Sequence, residues 1–171
     1  MNKDLRKVVI LLAHPNMKGS QANKALIDAV GDIEGVAVFN LYELSPDIAF
    51  NVDEWSKIIS DASAVIYQFP FYWMSAPSLL KKWQDEVFTF LSKTPAVAGK
   101  PLTVVTTTGS EYEAYRSGGS FRNGYSVALF PEYVYWGCHC FYLFRFAYPA
   151  YGCKTECEHF SSIIRSSFPF P

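Results

Sequence analysis

Three short stretches of this 171-residue chain concentrate side chains able to hold a phosphorylated, flat, redox-active group. In the first, His14 is followed by Ser20, Gln21, Ala22 and Asn23. Ser20 or Gly19 can cap a helix there, and the unpaired amides and positive dipole end of a helix N-terminus attract phosphate. His14 can donate a hydrogen bond, while Ser20 and Asn23 add side-chain donors on the same turn. The second stretch is Phe71, Tyr72, Trp73 and Met74, between Pro70 and Pro77. Loops face water, so an aromatic run in one either packs on the protein or covers something flat. The third supplies Thr107, Thr108, Gly109 and Ser110, small residues that let backbone approach a ligand and donate amide hydrogen bonds. Each stretch alone also fits a plainer role: a capped helix with a packed histidine, an aromatic core plug, a Thr/Gly turn. Their force depends on meeting at one edge of one sheet.

The intervening pattern predicts such an edge. Lys7 to Ala13, Val36 to Leu41, Ala64 to Gln68, Pro101 to Thr106 and His139 to Phe146 are apolar, β-branched or aromatic runs, as in strands buried on both faces. Helical patterns separate them: Ser20 to Val30, Val52 to Asp61 behind an Asn51 cap, Ser78 to Leu91, Ser126 to Trp136 and Thr155 to Ser166. Tyr42 to Phe50 has no period and is expected to be loop, and Pro70 is expected to end the third strand. Thr107 to Gly124 is a long glycine-bearing connection of the kind that is often functional. Alternating strands and helices give an α/β fold with a five-stranded parallel sheet in the order 2-1-3-4-5 and helices on both faces, since crossovers are right-handed. Ligands of such sheets bind outside the carboxyl ends of the strands, near the switch point between strands one and three. The loops after strands one, three and four are the three stretches above.

Composition narrows the class. Half the residues are hydrophobic and 17% aromatic, which suits one packed domain spanning residues 1–171. A formal net charge of −1 without like-charge runs suggests neither nucleic acid nor an anionic membrane surface. The N-terminal residues lack a signal-peptide pattern and no stretch approaches a membrane span, so the cytoplasm is the expected compartment. Cys138, Cys140, Cys153 and Cys157 fall near His139 and His159, but C-x-C and C-x3-C are not the usual zinc spacing, and no metal is expected. Neither G-x-G-x-x-G after strand one, a P-loop, a G-x-S-x-G elbow nor H-E-x-x-H is present.

In the segments AHPNMKGSQANKAL, QFPFYWMSAPSLLKKWQDEVF and TTGSEYEAY the chain resembles the NAD(P)H quinone oxidoreductase family with a flavodoxin-like three-layer sandwich. Its pattern is similar to the small bacterial oxidoreductases that are ancillary subunits of glutathione-gated potassium efflux systems. A-H-P with S-x-A-N, P-x-x-W with P-x-x-L-K, and T-T-G, in that order, carry the resemblance. It implies a non-covalent flavin, FMN rather than FAD, because the long C-terminal extension of FAD-binding members is lacking. The phosphate would lie at His14 and Ser20, Gln21, Ala22 and Asn23. The ring would be flanked by Phe71, Tyr72, Trp73 and Met74, with Thr107, Thr108, Gly109 and Ser110 at its polar edge. NAD(P)H would be the co-substrate and a quinone or similar small molecule the electron acceptor. Tyr115 matches a tyrosine that assists hydride transfer, although a loop tyrosine packed on the surface is an equal alternative.

The sequence departs from the family at Ser110, where a second glycine is common, at Phe121, near a histidine position, and from Glu132 onward. Many members are homodimers, and that is the expectation here. The departures also keep open a flavin-binding regulatory subunit, docked peripherally on a transporter and turning over little. A metal-linked electron carrier using the late cysteines is a third alternative.

Overall fold

The computed structural model describes residues 7–44, 49–73, 75–109 and 139–145, and helical residues 157–158, 160–162 and 164–165; for 139–145 only the backbone path is described. Four strands form the centre: β1 (Lys7–Leu12), β2 (Val36–Asn40), β3 (Ala62–Pro70) and β4 (Leu102–Thr108). They pair in parallel in the order 2-1-3-4, and the backbone of β5 (His139–Arg145) runs parallel beside β4. The α/β architecture with a parallel sheet expected from the alternation is therefore what the described residues form.

Both faces of the sheet are covered. On one, Val9, Leu11, Val65, Tyr67, Phe69 and Val104 pack against α3 (Val52–Asp61) and α4 (Ser78–Trp83). On the other, Val8, Ile10, Ala64, Ile66 and Val105 pack against α1 (Gln21–Asp28) and against Phe160 and Ile164 of the C-terminal helical residues. Alternate residues of one strand thus feed two cores, which is why the strands carry unbroken apolar runs.

Local chemistry sets several helix starts. Ser20 Oγ accepts from the Asn23 amide at 3.2 Å, and Asn51 Oδ1 accepts from the Asp53 and Glu54 amides at 3.1 and 3.2 Å. Asp53 and Glu54 lie in the first turn of α3, where the helix dipole favours anions.

Four expectations change. Pro70 does not cut β3 short at Gln68: it is itself the strand's last residue, paired with Thr107. The Gln68 carbonyl accepts from Ala13 on the β1 side, and the Phe71 amide donates to Thr107 on the β4 side. By alternation Pro70 presents its missing N–H beyond the end of β1, where no partner is required. Likewise β4 continues through Thr107 and Thr108, which are strand rather than loop. The segment expected to be loop after Leu41 opens with a short helix, α2 (Leu41–Leu44), whose Leu41 is buried. Finally, α4 is helical from Ser78 to Trp83, passes through a π turn at Gln84–Phe88 and ends in Thr89–Leu91. Glu86 on that turn accepts from the Phe50 amide at 3.3 Å, tying the approach to α3 onto α4.

Candidate functional site

Because β1, β3 and β4 are neighbours and parallel, their carboxyl ends share one rim. Three contacts knit it. The Ala13 amide donates to the Gln68 carbonyl (2.9 Å), the Phe71 amide to the Thr107 carbonyl (2.8 Å), and the Asn23 side chain, through Nδ2, to Thr107 Oγ1 (3.0 Å). The His14 and Tyr72 rings meet edge-on, 6.5 Å between centroids. The three stretches picked out by their residue types are thus brought together at one edge, as far as their residues are described. Met74, Ser110 and Tyr115 lie outside the described residues.

After β1 the chain passes His14 and makes a 3-10 turn at Met17–Gly19, which Asn16 caps by accepting from the Gly19 amide. The first-turn amides of Gln21 and Ala22 then have no acceptor within α1. His14 is half-buried, and its Nδ1 accepts from the Asn16 amide at 3.0 Å. That contact places the ring proton on Nε2, which is left as a donor. Burial holds the imidazole below its ordinary pKa of 6.5, against a smaller opposing backbone hydrogen bond, so it is neutral at pH 7. A neutral imidazole donor beside open helix amides suits a phosphate oxygen without needing a buried counter-charge.

Asn23 behaves differently from its neighbours. Expected to offer its side chain to a ligand, it is 1% exposed and its amide points inward to Thr107 and, at 3.4 Å, to Ser20 Oγ. Gln68, which the sequence pattern did not single out, lies fully buried beside it and donates through Nε2 to the Asn23 carbonyl at 3.1 Å. A polar residue inside an otherwise apolar strand run was the available signal. Thr107 is also turned inward, and Thr108 is buried at the end of β4, so that exposure begins at Gly109.

The aromatic stretch divides. Phe71 is partly buried against the core under α4, whereas Tyr72 is half-exposed and Trp73 wholly exposed. Tyr72 and Ser75 exchange backbone hydrogen bonds of 3.0 and 2.9 Å, closing a tight turn. Trp73 sits at its tip with φ +47°, a left-handed conformation that costs a bulky L-residue roughly 1–2 kcal/mol. A strained, solvent-facing indole contributes nothing to packing, and strain of this kind gathers at ligand clamps.

The opposite edge of the sheet offers a cavity of about 540 Å³, between Ser60 at the end of α3 and Lys100 before β4. There Lys100 Nζ donates to the carbonyls of Ile59 and Ser60, closing the C-terminus of α3. That role is structural, and the rim chemistry lies elsewhere. Among the described residues no cluster of His, Cys, Asp and Glu could hold a metal ion.

Comparison with known proteins agrees with the architecture. Residues 6–141 match the family model for the flavodoxin-like fold. The chain is 39% identical over 126 residues to general stress protein 14 of Bacillus subtilis, covering 71% of each. To the uncharacterized NAD(P)H oxidoreductase YrkL of the same organism it is 28% identical over 132 residues, covering 75% of this chain and 76% of the relative. It is 37% identical over 128 residues to the glutathione-regulated potassium-efflux system ancillary protein KefF of Klebsiella pneumoniae, covering 72% and 71%. Among solved structures it is similar to general stress protein 14 of Treponema denticola in complex with FMN, with a TM-score of 0.76, 28% identity and 95% and 97% of the two chains covered.

Proposed function

This chain belongs to the family with the flavodoxin-like fold, and on that premise we propose that it is an FMN-dependent NAD(P)H oxidoreductase that passes two electrons to a quinone or similar small acceptor. The observation that carries the reading is the hydrogen-bonded convergence of the His14, Phe71 and Thr107 stretches on one rim. Relatives named as an NAD(P)H oxidoreductase and as an FMN complex support it.

Each residue has a defined task. The neutral His14 would donate from Nε2, and Ser20, Gln21, Ala22 and Asn23 form the turn in which the amides of Gln21 and Ala22 are left to take the phosphate, those of Ser20 and Asn23 being used within the turn. Phe71 anchors the aromatic turn to the core, and Tyr72 and Trp73, followed by Met74, flank the ring plane. Thr107 and Thr108 at the end of β4, with Gly109 and, next in sequence, Ser110, would serve the ring's polar edge, and Tyr115 would assist hydride transfer. The flavin, when bound, supplies the two-electron chemistry, and the chain supplies position and exclusion of water. NAD(P)H would be the hydride donor and the quinone, which takes up that hydride equivalent and a proton, the final acceptor. In a homodimer the exposed Trp73 would be shielded; no helix among the described residues is long and apolar enough to cross a membrane.

The test is direct. Purified protein should carry or take up FMN, show flavin absorption and bleach with NADH or NADPH under anaerobic conditions, then recover on addition of quinone. Protein that takes up neither FMN nor FAD would defeat the reading. The 37% identity to KefF favours a second one, an ancillary subunit that docks on a transporter. Bound flavin that neither nucleotide reduces would select it.

A further inference from the structure

Asn23, Gln68 and Thr107 come from three separate elements and meet in a layer just beneath the rim. Gln68 is 0%, Asn23 1% and Thr107 7% exposed. Asn23 belongs to the first turn of α1, Gln68 to β3 just before the aromatic turn, and Thr107 to the end of β4. The orientations are fixed by chemistry. The Asn23 carbonyl can only accept, so the nitrogen of Gln68 faces it, and Gln68 Nε2 also lies 3.4 Å from Asn23 Oδ1. With Oδ1 so engaged, Asn23 Nδ2 is the atom that reaches Thr107 Oγ1. All three side chains lie on the sheet face that α1 covers, directly above Ile66 and Val105 of its apolar core. Burying this much polarity is unfavourable unless the groups bond to one another, and the bonds made by Asn23 Nδ2 and Gln68 Nε2 favour one arrangement, although Gln68 Oε1 is buried without a partner among the described residues.

We propose that these residues form a buried lock that sets the position of the α1 phosphate turn relative to the end of β4, so that phosphate and ring contacts are made at one fixed spacing. The proposal rests on the flavin reading above. Asn23 and Gln68 are positioning residues in it: neither side chain reaches the ligand. Thr107 acts through its hydroxyl toward Asn23 rather than toward the ring. Riboflavin, which lacks the phosphate, uses only the ring contacts and is indifferent to the spacing. The lock therefore governs how much the phosphate adds to binding.

The experiment measures the affinities of FMN and riboflavin for wild type, Thr107→Val, Thr107→Ser and Gln68→Met, together with exchange of the Asn23 backbone amide, which Ser20 caps, in the apo protein. The expected result is that Thr107→Val and Gln68→Met each lower the FMN-to-riboflavin affinity ratio by about tenfold, the scale of one buried hydrogen bond. Thr107→Ser should restore the ratio, and exchange of the Asn23 amide should quicken in the two lock-breaking variants. An equal loss of FMN and riboflavin affinity would place the Thr107 hydroxyl on the ring and overturn the lock. An unchanged ratio or unchanged exchange would overturn it as well. Wild type that binds neither flavin defeats the functional reading itself, and is distinguished by needing no variant. Should Thr107→Val not fold, Gln68→Met decides the matter, because its side chain is nearly isosteric.

Discussion

Trp73 and Trp83 lie on either side of one proline-led turn and are used in opposite ways. Trp83 is fully buried, with Trp55 and Tyr67 edge-on at 5.4 and 6.1 Å between centroids, in a box completed by Phe39 and Phe50 against Trp55. Trp73 is wholly exposed and held in a left-handed conformation by a turn that closes beneath it. The same side chain is structural where it meets neighbours on every side. It is available for recognition where backbone geometry lifts it clear. Among the described residues the contrast separates the aromatics that fill the face under α3 and α4 from Tyr72 and Trp73, which stand at the carboxyl rim.

The largest expected effect tests the buried member. Trp83→Ala should lose about 3–5 kcal/mol of unfolding free energy in urea denaturation, through lost burial and a residual cavity. The flavin affinity of the protein that remains folded should hardly move. A loss below about 1 kcal/mol would mean the box is loosely packed and the comparison overdrawn. Trp73→Ala should do the reverse. Its unfolding free energy should stay within about 0.5 kcal/mol of wild type, as for other exposed positions. Flavin affinity, followed by fluorescence titration, should fall about tenfold, the scale of a stacked aromatic contact. Loss of stability without loss of affinity would make Trp73 a packing residue after all.

The smallest effect concerns His14, whose ring meets Tyr72 edge-on at the rim. Its folded pKa lies below the ordinary 6.5 because burial disfavours the charged ring. The unfolded state then binds the proton more readily. Stability from this residue is present above pH 6.5 and is lost as pH falls from there through the lowered folded value. Apo wild type should accordingly lose thermal stability across that window more steeply than His14→Asn, which keeps a polar side chain but does not titrate. Bound phosphate should reduce the difference by favouring the imidazolium. Parallel pH curves for the two proteins would remove His14 from the neutral-donor role.

Much of the local framework was legible in the residues. Ser20 and Asn51 cap the helices they precede, because a cap is a hydrogen bond spanning two or three residues and backbone stereochemistry alone brings the partners together. Unbroken β-branched runs marked the central strands, since a strand buried on both faces has no polar side to show. The strand ends were not legible. Pro70 and Thr107 look like loop residues in isolation, and they are strand because neighbouring chains supply or excuse the missing partners.

The rim shows where reading the chain stops. Residue types at positions 14–23, 70–74 and 107–110 identified three stretches able to grip a phosphorylated ring system. They could not say which side chains face outward. Asn23 and Thr107 are 84 residues apart, and only folding of the sheet decides that they bond to each other rather than to a ligand. Contacts at that separation follow from strand order and helix placement, whose free energy is spread over the two cores, so no short motif encodes them. The sequence by itself determined the chemistry on offer at this edge; tertiary structure divided it between holding a ligand and holding the protein together.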